Sequence, residues 1–277
     1  MDERRGLRRV TEPLHAVRNA LDYPLRGLFR WRRPGLRLRH EPKTDLFAEL
    51  PAAERLAAEA TERRLREAYG LDALAADSSR VNYRVNLFYL ELLERLLEQL
   101  GGALPDPLAA VDIGPSHWFY VQALYGLLGH WRAATGREVE LDGYEADPWR
   151  VYGDLYSRHD HAVAHLRGLP ARYHPRPFEA SPERYDLVLM LLPFVFVGDH
   201  LRWGLPRRRF DPASLLAAAW ASVRPGGLLL IVNQGEAEHQ TQRERLEQAG
   251  IGVAAAFRHD SLLYRHPHPR YALGARR

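Results

Sequence analysis

Two short segments carry an acid at the end of an apolar run, a placement that suits a nucleoside ligand. In the first, Asp112 and Gly114 end the run and Ser116 leads into a helical pattern. A glycine there lets the backbone approach a ligand closely, and the start of the helix offers free N–H donors. In the second, Glu145 follows the run 139–144 and can accept both hydroxyls of a ribose. We therefore expect these four residues to bind a nucleoside-bearing cofactor.

A second set of candidate residues lies in the loop 191–206. His200 titrates near neutral pH and could act as general base for a hydroxyl acceptor. Phe194 and Trp203 could hold a flat acceptor by stacking. The alternative is that these rings pack the loop on the body and that His200 makes a local hydrogen bond. Asn233 ends a later apolar run, where its side chain can reach a substrate.

From residue 105 onward, short apolar runs alternate with helical segments, as in a parallel sheet covered by helices. The predicted strands are 108–113, 139–144, 171–174, 185–192, 228–233, 253–258 and 271–273. The predicted helices are 119–132, 148–166, 212–223 and 240–248. This pattern predicts a doubly wound, mostly parallel α/β fold. Ligands of such folds bind beyond the carboxyl ends of the strands, where the candidate residues lie.

Two helices are predicted ahead of the sheet, at 51–69 and from the caps at 77–79 to Leu100. We interpret 47–102 as an N-terminal helical cap that helps to complete an acceptor pocket. The alternative is that both helices cover one face of the sheet. Three residues of the second helix are candidates to face the pocket: Tyr83, Arg84 and Asn86.

Residues 1–46 are interpreted as an Arg-rich arm that is irregular or partly helical. Residues 1–40 hold eleven arginines against four acids, a net of +7, so the rest of the chain sums to 4 − 7 = −3. Within the segment 24–33, three apolar residues share one helical face beside several arginines. This pattern is compatible with an anionic membrane surface, with nucleic acid, or with a tail that packs on the body.

Composition excludes several classes of protein. The chain of 277 residues has no cysteine, which excludes disulfides, thiolate zinc sites and Fe–S clusters. No run of about 18 apolar residues could span a membrane, and the first residues lack the apolar core of a secretory signal. A cytoplasmic protein is expected, with a peripheral membrane location as an alternative.

No metal site is predicted. His161 and His165 are four residues apart on the predicted helix 148–166, and His159 lies nearby. A metal needs a third, converging ligand, which the pattern does not supply. We therefore interpret these histidines as a solvated helix face.

Four segments between residues 105 and 277 resemble, in order, the motifs of the class I S-adenosylmethionine-dependent methyltransferase superfamily. Asp112-Ile113-Gly114 is similar to the first motif, and 143–148 to the second, with Glu145 as the ribose acid. The segments 185–188 and 224–229 resemble the start of the fourth strand and the turn before the fifth. The resemblance implies a methyltransferase domain at 103–277 whose seven-stranded sheet has an antiparallel last strand. It also implies S-adenosylmethionine as cofactor, held by Asp112, Gly114, Ser116 and Glu145.

The first motif is degenerate. The family's further glycines are replaced by Ser116 and Trp118, so the indole either points into the fold or alters the methionine pocket. The loop 191–194 keeps only the final proline and aromatic of the motif with which related enzymes methylate exocyclic amines. This departure disfavours methylation of adenine or glutamine.

The sequence therefore predicts methyl transfer to an unidentified acceptor, more readily a small molecule than a macromolecule. Two alternatives stay open. One is a non-catalytic binding module with the same fold, which Trp118 would favour. The other is an RNA methyltransferase anchored by the basic arm.

Overall fold

One seven-stranded sheet forms the centre of the protein, with strand order β3-β2-β1-β4-β5-β7-β6. The computed structural model describes the backbone of residues 3–277 and the side chains of residues 12–277. The strands are β1 (Leu108–Ile113), β2 (Val139–Tyr144), β3 (Ala171–His174), β4 (Tyr185–Leu191), β5 (Val223–Gln234), β6 (Val253–His259) and β7 (Arg270–Arg276). β7 pairs antiparallel with both of its neighbours, and the other pairs are parallel. The expected doubly wound, class I methyltransferase-like sheet is thus confirmed.

Helices cover both faces of this sheet. They are α1 (Glu3–Phe29), α2 (Ala52–Tyr69), α3 (Asp72–Asp77), α4 (Arg80–Leu100), α5 (Val121–His130), α6 (Arg158–His165), α7 (Val197–Trp203), α8 (Pro212–Ser222) and α9 (Glu236–Gln248). The larger apolar core lies between the sheet and α2, α4 and α5. A smaller core lies under α8 and α9. Within both cores the strands are buried on two faces, which explains their nearly continuous apolar runs.

Helix α4 covers the half of the sheet formed by β6 and β7, and it also packs on α5. Its amino end is capped by Ser79, whose hydroxyl accepts the N–H of Asn82. Both N-terminal helices contribute to the main core, α4 against β6 and β7 and α2 against α4 and α5. Tyr83 is buried and donates to Glu62 of α2, and Arg84 donates to the carbonyl of Leu263.

The N-terminal arm contains one long helix, which is more regular than the irregular or partly helical arm that the sequence predicts. α1 runs from Glu3 to Phe29 through two prolines, and residues 30–46 form no helix or strand. The contacts that hold it are distant in sequence: Asn19 donates to the carbonyls of Leu201 and Leu205, at 2.7 and 3.0 Å. A local pattern does not reveal such contacts, which is why the sequence predicts only a partly helical arm.

The predicted helix 148–166 was also wrong in its extent. α6 begins only at Arg158, and the segment before it is irregular, with an isolated bridge between Val151 and Ser157. Ser157 and Asp160 form a capping box, in which each side chain accepts a backbone N–H of the other residue. This cap starts the helix nine residues after Pro148.

Candidate functional site

The strand order reverses between β1 and β4, and the ends of β1 and β2 lie side by side next to this reversal. Ile113 pairs with Tyr144, and the N–H of Gly114 donates to the carbonyl of Tyr144 at 2.9 Å. The two predicted motifs therefore meet at the carboxyl edge of the sheet. Crevices at this position bind ligands in open α/β sheets.

Glu145 links the two motifs directly. One carboxylate oxygen accepts the N–H of Ser116 at 2.8 Å, and the other accepts the N–H of Asp147 at 2.8 Å. The side chain is buried, with Arg158 3.6 Å away. Burial raises the pKa of Glu145, and the Arg158 charge opposes that rise. The acid is at the place expected for the ribose, and in this structure backbone donors occupy both of its oxygens.

Asp112 lies fully buried below the first turn. Its Oδ2 atom accepts the indole N–H of Trp118 at 2.8 Å and the hydroxyl of Tyr120 at 2.7 Å. Its Oδ1 atom has no hydrogen-bond partner in the described part of the chain. Burial is the main cause that raises the pKa of Asp112, to about 7. The carboxyl is therefore about half protonated at pH 7.

Trp118 points into the fold, because its ring is fully buried. A Cβ atom added to Gly143 of β2 would lie 2.7 Å from the ring, so the indole packs directly on the backbone of that strand. Trp118 and Ser116 both have positive φ, +50° and +58°. This tight turn delays the start of α5 to Val121, two residues later than the sequence predicts.

The turn leaves room for a ligand at Gly114. Its φ is +79°, a left-handed conformation that favours glycine. A Cβ atom placed there would meet no other atom within 4 Å. A ligand could therefore approach the backbone closely at Gly114. Two residues later the chain has Ser116, not a glycine.

The acceptor loop after β4 is partly helical and holds His200 in its interior. Its Nε2 atom lies 3.0 Å from the carbonyl of Pro206, so this nitrogen carries the proton. The rings of Phe194 and Phe210 pack on it at 5.7 and 5.2 Å. Burial lowers the pKa of His200, and the bond to Pro206 opposes that shift. The local hydrogen bond matches the structural alternative, and the role as general base stays a prediction.

Arg158 joins this loop to Glu145. The sequence analysis did not predict a role for this arginine. Its guanidinium lies 4.3 Å from the ring of Trp203 and 3.6 Å from carboxylate oxygens of both Glu145 and Asp147. The side chain is 1% exposed, so this charge is sequestered between the two sites. Phe194 packs beside Trp203 with ring centroids 5.9 Å apart. No local sequence signal marks Arg158, because these partners come from two other segments, the loop after β2 and α7.

Asn233 is also fully buried, at the carboxyl end of β5. Neither its amide oxygen nor its amide nitrogen has a hydrogen-bond partner among the described residues. A buried amide without partners is costly, which is consistent with a polar ligand at this edge. Its role in binding a substrate stays a prediction.

Helix α1 closes over the second motif through its polar face, another contact that the sequence analysis missed. Tyr23 donates to the carbonyl of Ala146 at 2.8 Å. Arg26 donates to both carboxylate oxygens of Asp147, at 3.1 and 3.0 Å, and to the carbonyl of Gly204 at 2.7 Å. The arm therefore bridges the loop after β2 and the end of α7.

The histidines of α6 do not form a solvated face, so that interpretation was wrong. His165 is buried, and its ring lies 6.1 Å from that of His117, whose Nδ1 atom is 3.2 Å from the hydroxyl of Tyr152. Burial lowers the pKa of His165 to about 3 and that of His117 to about 4. Among the described residues, no group of three His, Asp or Glu side chains is arranged to hold a metal.

Comparison with known proteins gives matches among solved structures. A SAM-dependent methyltransferase from Aquifex aeolicus is 16% identical, with a TM-score of 0.47, over 70% of this chain and 92% of that chain. A second one, from Mesorhizobium loti, is 14% identical, with a TM-score of 0.43, over 68% and 96%. A geranyl diphosphate methyltransferase, in complex with GPP and sinefungin, is 12% identical, with a TM-score of 0.45, over 70% and 78%.

No protein-family model matches the sequence, and no curated protein matches it either. The assignment of a function to this chain therefore depends on its own side chains.

Proposed function

We propose that this chain, which has the class I methyltransferase-like fold, transfers the methyl group of S-adenosylmethionine to a small-molecule acceptor. The observation that carries the proposal is the link between the two motifs at the strand reversal. The turn at Gly114 and the acid Glu145 meet there, joined by the 2.8 Å bond from the Ser116 N–H. The combination of an open glycine turn and a ribose acid is typical of nucleotide-binding sites in open α/β sheets.

The side chains present fit that cofactor. Gly114 leaves space for close approach, and Asp112 and Glu145 are buried acids at the carboxyl edge. Glu145 would accept ribose hydroxyls, a role for which the Ser116 N–H would give up its bond to the carboxylate. When bound, the cofactor supplies an electrophilic methyl group on a sulfonium.

The chain would contribute alignment and exclusion of water, which methyl transfer needs more than strong acid–base groups. Phe194 and Trp203 would hold the acceptor against the loop. Neutral His200, with its Nε2 proton committed to Pro206, would orient an acceptor hydroxyl through its other nitrogen. Arg158 would position Trp203 by stacking on it.

Calorimetry with S-adenosylmethionine and S-adenosylhomocysteine tests the proposal. We expect saturable binding of both to the wild-type chain. Binding of neither would contradict the proposal and favour a module that binds something else. Binding of both, with no transfer to any acceptor in a screen of hydroxyl compounds, would favour the non-catalytic alternative.

We also propose that α1 places this protein on an anionic membrane surface, on the cytoplasmic side. The described residues contain no helix that could cross a membrane. Instead, α1 and the residue pair after it expose a row of large apolar side chains, each 49–76% exposed. They are Leu14, Val17, Leu21, Leu25, Leu28, Phe29 and Trp31.

The orientation of the helix supports a membrane rather than nucleic acid. Its polar face, with Asn19 and Arg26, packs on the body, so the apolar face is turned outward. Exposed arginines border that face at Arg18 and Arg30. Arginines alone would suit a phosphate backbone, but an exposed row of leucines gains nothing from nucleic acid. An apolar face beside arginines is typical of helices that lie in the membrane interface.

Vesicle sedimentation tests this location. We expect binding to vesicles containing phosphatidylserine, and tenfold or greater loss in Leu21→Asp, because a charge would enter the acyl boundary. Leu56→Asp, at an exposed leucine of α2, is the matched control and should bind as wild type. Salt-sensitive binding to RNA in the absence of vesicle binding would contradict the membrane proposal and favour the RNA alternative.

A further inference from the structure

A cavity lies at the carboxyl edge of the sheet, between α4 and the loop 260–269 that joins β6 to β7. We call it the β6–β7 cavity. It encloses about 480 Å³, which is in the range of small-molecule sites. Its lining includes Phe88, His259, Tyr264, His266 and Arg270. Arg270 pairs with Gln234, the last residue of β5, so the cavity shares the edge at which the cofactor motifs lie.

Arg270 is buried at this cavity without a counterion. Its guanidinium donates to the hydroxyl of Tyr89 at 3.0 Å, to the carbonyl of His268 at 3.0 Å and to Nδ1 of His266 at 3.2 Å. All three acceptors are uncharged. Among the described residues, no carboxylate oxygen lies within 4 Å of its nitrogens. A buried charge of this kind is expensive unless an opposite charge reaches it.

The carboxylates of this region are engaged elsewhere. Asp260 accepts from Arg258 at 2.9 Å. Glu91 lies 3.2 Å from Nε2 of His259. Neither acid therefore lies within ion-pair distance of Arg270. Glu238 interacts with the Arg270 charge at longer range, while its carboxylate accepts the N–H of Gln234 at 2.9 Å. Because the lining holds Arg258 and Arg265 as well as Arg270, against the single acid Asp260, the cavity keeps an excess of positive charge.

His266 adds an unused hydrogen-bond donor. Because an arginine can only donate, Nδ1 of His266 must accept from Arg270, and the proton of the neutral ring lies on Nε2. That Nε2 atom is buried and has no partner among the described residues. Burial, reinforced by the Arg270 charge, lowers the pKa of His266 to about 4, so the ring is neutral at pH 7. The wall thus combines an uncompensated cation with a free N–H.

We propose that the β6–β7 cavity binds the anionic group, a carboxylate or a phosphate, of a small molecule through Arg270 and His266. On the proposed function, on which this step rests, that molecule is the methyl acceptor. Tyr89, which accepts from Arg270, does not itself donate a hydrogen bond to Asp112. Its ring lies 6.3 Å from that of Tyr120, and the Tyr120 hydroxyl donates to Asp112. One row of side chains therefore connects the anion site to the candidate cofactor site.

Calorimetric titration with inorganic phosphate and, separately, with malonate tests the site at constant ionic strength. We expect saturable binding of at least one of the two, and the better ligand identifies the anionic group. Arg270→Met should weaken that binding tenfold or more. His266→Phe, which keeps a ring beside Phe88 and removes the donor, should weaken it threefold or more. Arg258→Ala is the matched control, because this arginine lines the same cavity but has Asp260 as partner, and it should change binding less than twofold.

Two results would overturn the anion site: no saturable binding of either probe, or equal binding by wild type, Arg270→Met and His266→Phe. If Arg270→Met does not fold, Arg270→Lys and His266→Phe decide the question, since the lysine keeps the charge and loses the fork. A uniform loss in all variants, Arg258→Ala included, would show general attraction and also count against the site. Anion binding without S-adenosylhomocysteine binding would retain the anion site and contradict the proposed function. S-adenosylhomocysteine binding without anion binding would contradict the anion site and leave the proposed function in place.

Discussion

The indole N–H of Trp118 donates to Oδ2 of Asp112 at 2.8 Å, below the turn at Gly114. The same ring covers the backbone of Gly143, so β2 can have no side chain at that position. The tryptophan therefore fills the space under the turn and also satisfies a buried acid. Its position is compatible with a ligand on the other side of the turn, at Gly114.

Trp118→Gly should destabilise the fold. Removing a fully buried indole leaves a cavity, for which large core truncations cost about 3–5 kcal/mol, and it also removes a donor from Asp112. Relief of the positive φ at residue 118 would recover only about 1 kcal/mol. Urea unfolding measures the difference. Trp31→Ala, at a half-exposed indole, is the control and should cost much less.

The same mutant tests whether the indole blocks the methionine pocket. Since the ring packs on Gly143, we expect S-adenosylhomocysteine binding to be unchanged or weaker in Trp118→Gly. Tighter binding in a folded mutant would contradict this orientation.

Asp112→Asn should remove a pH dependence of stability. The pKa of Asp112 is raised from 3.8 to about 7 in the folded protein, so between these values the folded state holds a proton that the unfolded state has lost. The stability of the wild type should therefore fall as pH rises from about 4 to about 7, by up to about 1.4 kcal/mol per pH unit, and level off above. An asparagine oxygen can still accept from Trp118 and Tyr120, without the charge.

Urea unfolding of both proteins at pH 5, 6, 7 and 8 measures this effect. The stability of wild type minus that of Asp112→Asn should decrease by about 2–3 kcal/mol between pH 5 and pH 7. Histidines with lowered pKa, such as His165, titrate in both proteins and cancel in the difference. A constant difference across this range would show that Asp112 does not titrate there.

The positions of the strands along the chain could be predicted from sequence, most clearly where a strand buried on both faces leaves a nearly continuous apolar run, as β1 and β4 do. The predicted strands 108–113, 139–144 and 171–174 match β1, β2 and β3 residue for residue. The acid and glycine positions followed from the same runs, since motif residues lie directly at their ends. Capping chemistry was equally local, as at Ser79 and Gly70.

The contacts that close the site could not be predicted in this way. These contacts join segments that are far apart in the chain. They are made by Arg158, by Arg26 and by the side chains that connect Asp112 to Arg270. Their partners are set by the packing of whole helices, and an arginine that will be buried has the same local pattern as a solvated one. The sequence analysis missed the β6–β7 cavity partly because of this. In addition, two of its histidines lie in a loop that has no periodic pattern.

Glu145→Gln should weaken S-adenosylhomocysteine binding by tenfold or more, because the ribose hydroxyls would lose a charge-assisted acceptor. Such hydrogen bonds contribute about 1.5–3 kcal/mol each. Glutamine keeps one acceptor for the backbone N–H groups of Ser116 and Asp147, so folding should persist. Calorimetry gives the affinity, and a thermal melt checks the fold.

Glu140→Gln provides the control for that measurement. Glu140 lies on the same strand, β2, but its carboxylate is bonded to Arg172 and Arg184 at the surface. We expect its affinity for S-adenosylhomocysteine to stay within twofold of wild type. Equal affinities in all three proteins would remove Glu145 from the ribose site.

Arg26→Gln should loosen α1 from the body without unfolding the sheet. Arg26 makes a bidentate pair with Asp147, whose carboxylate is 2% exposed, and it also donates to the carbonyl of Gly204. Loss of the pair should cost about 1–3 kcal/mol, and Asp147 keeps Arg158 at 3.6 Å as its remaining cation.

Amide hydrogen exchange measures the effect of Arg26→Gln. It should rise across residues 12–29, while exchange in the central strands stays slow. Arg18→Gln is the matched control on the same helix, because among the described side chains Arg18 pairs only with the partly exposed Asp22 one turn away, a contact worth less than about 1 kcal/mol. Equal protection of α1 in both mutants would show that the clamp on the second motif does not hold the arm in place.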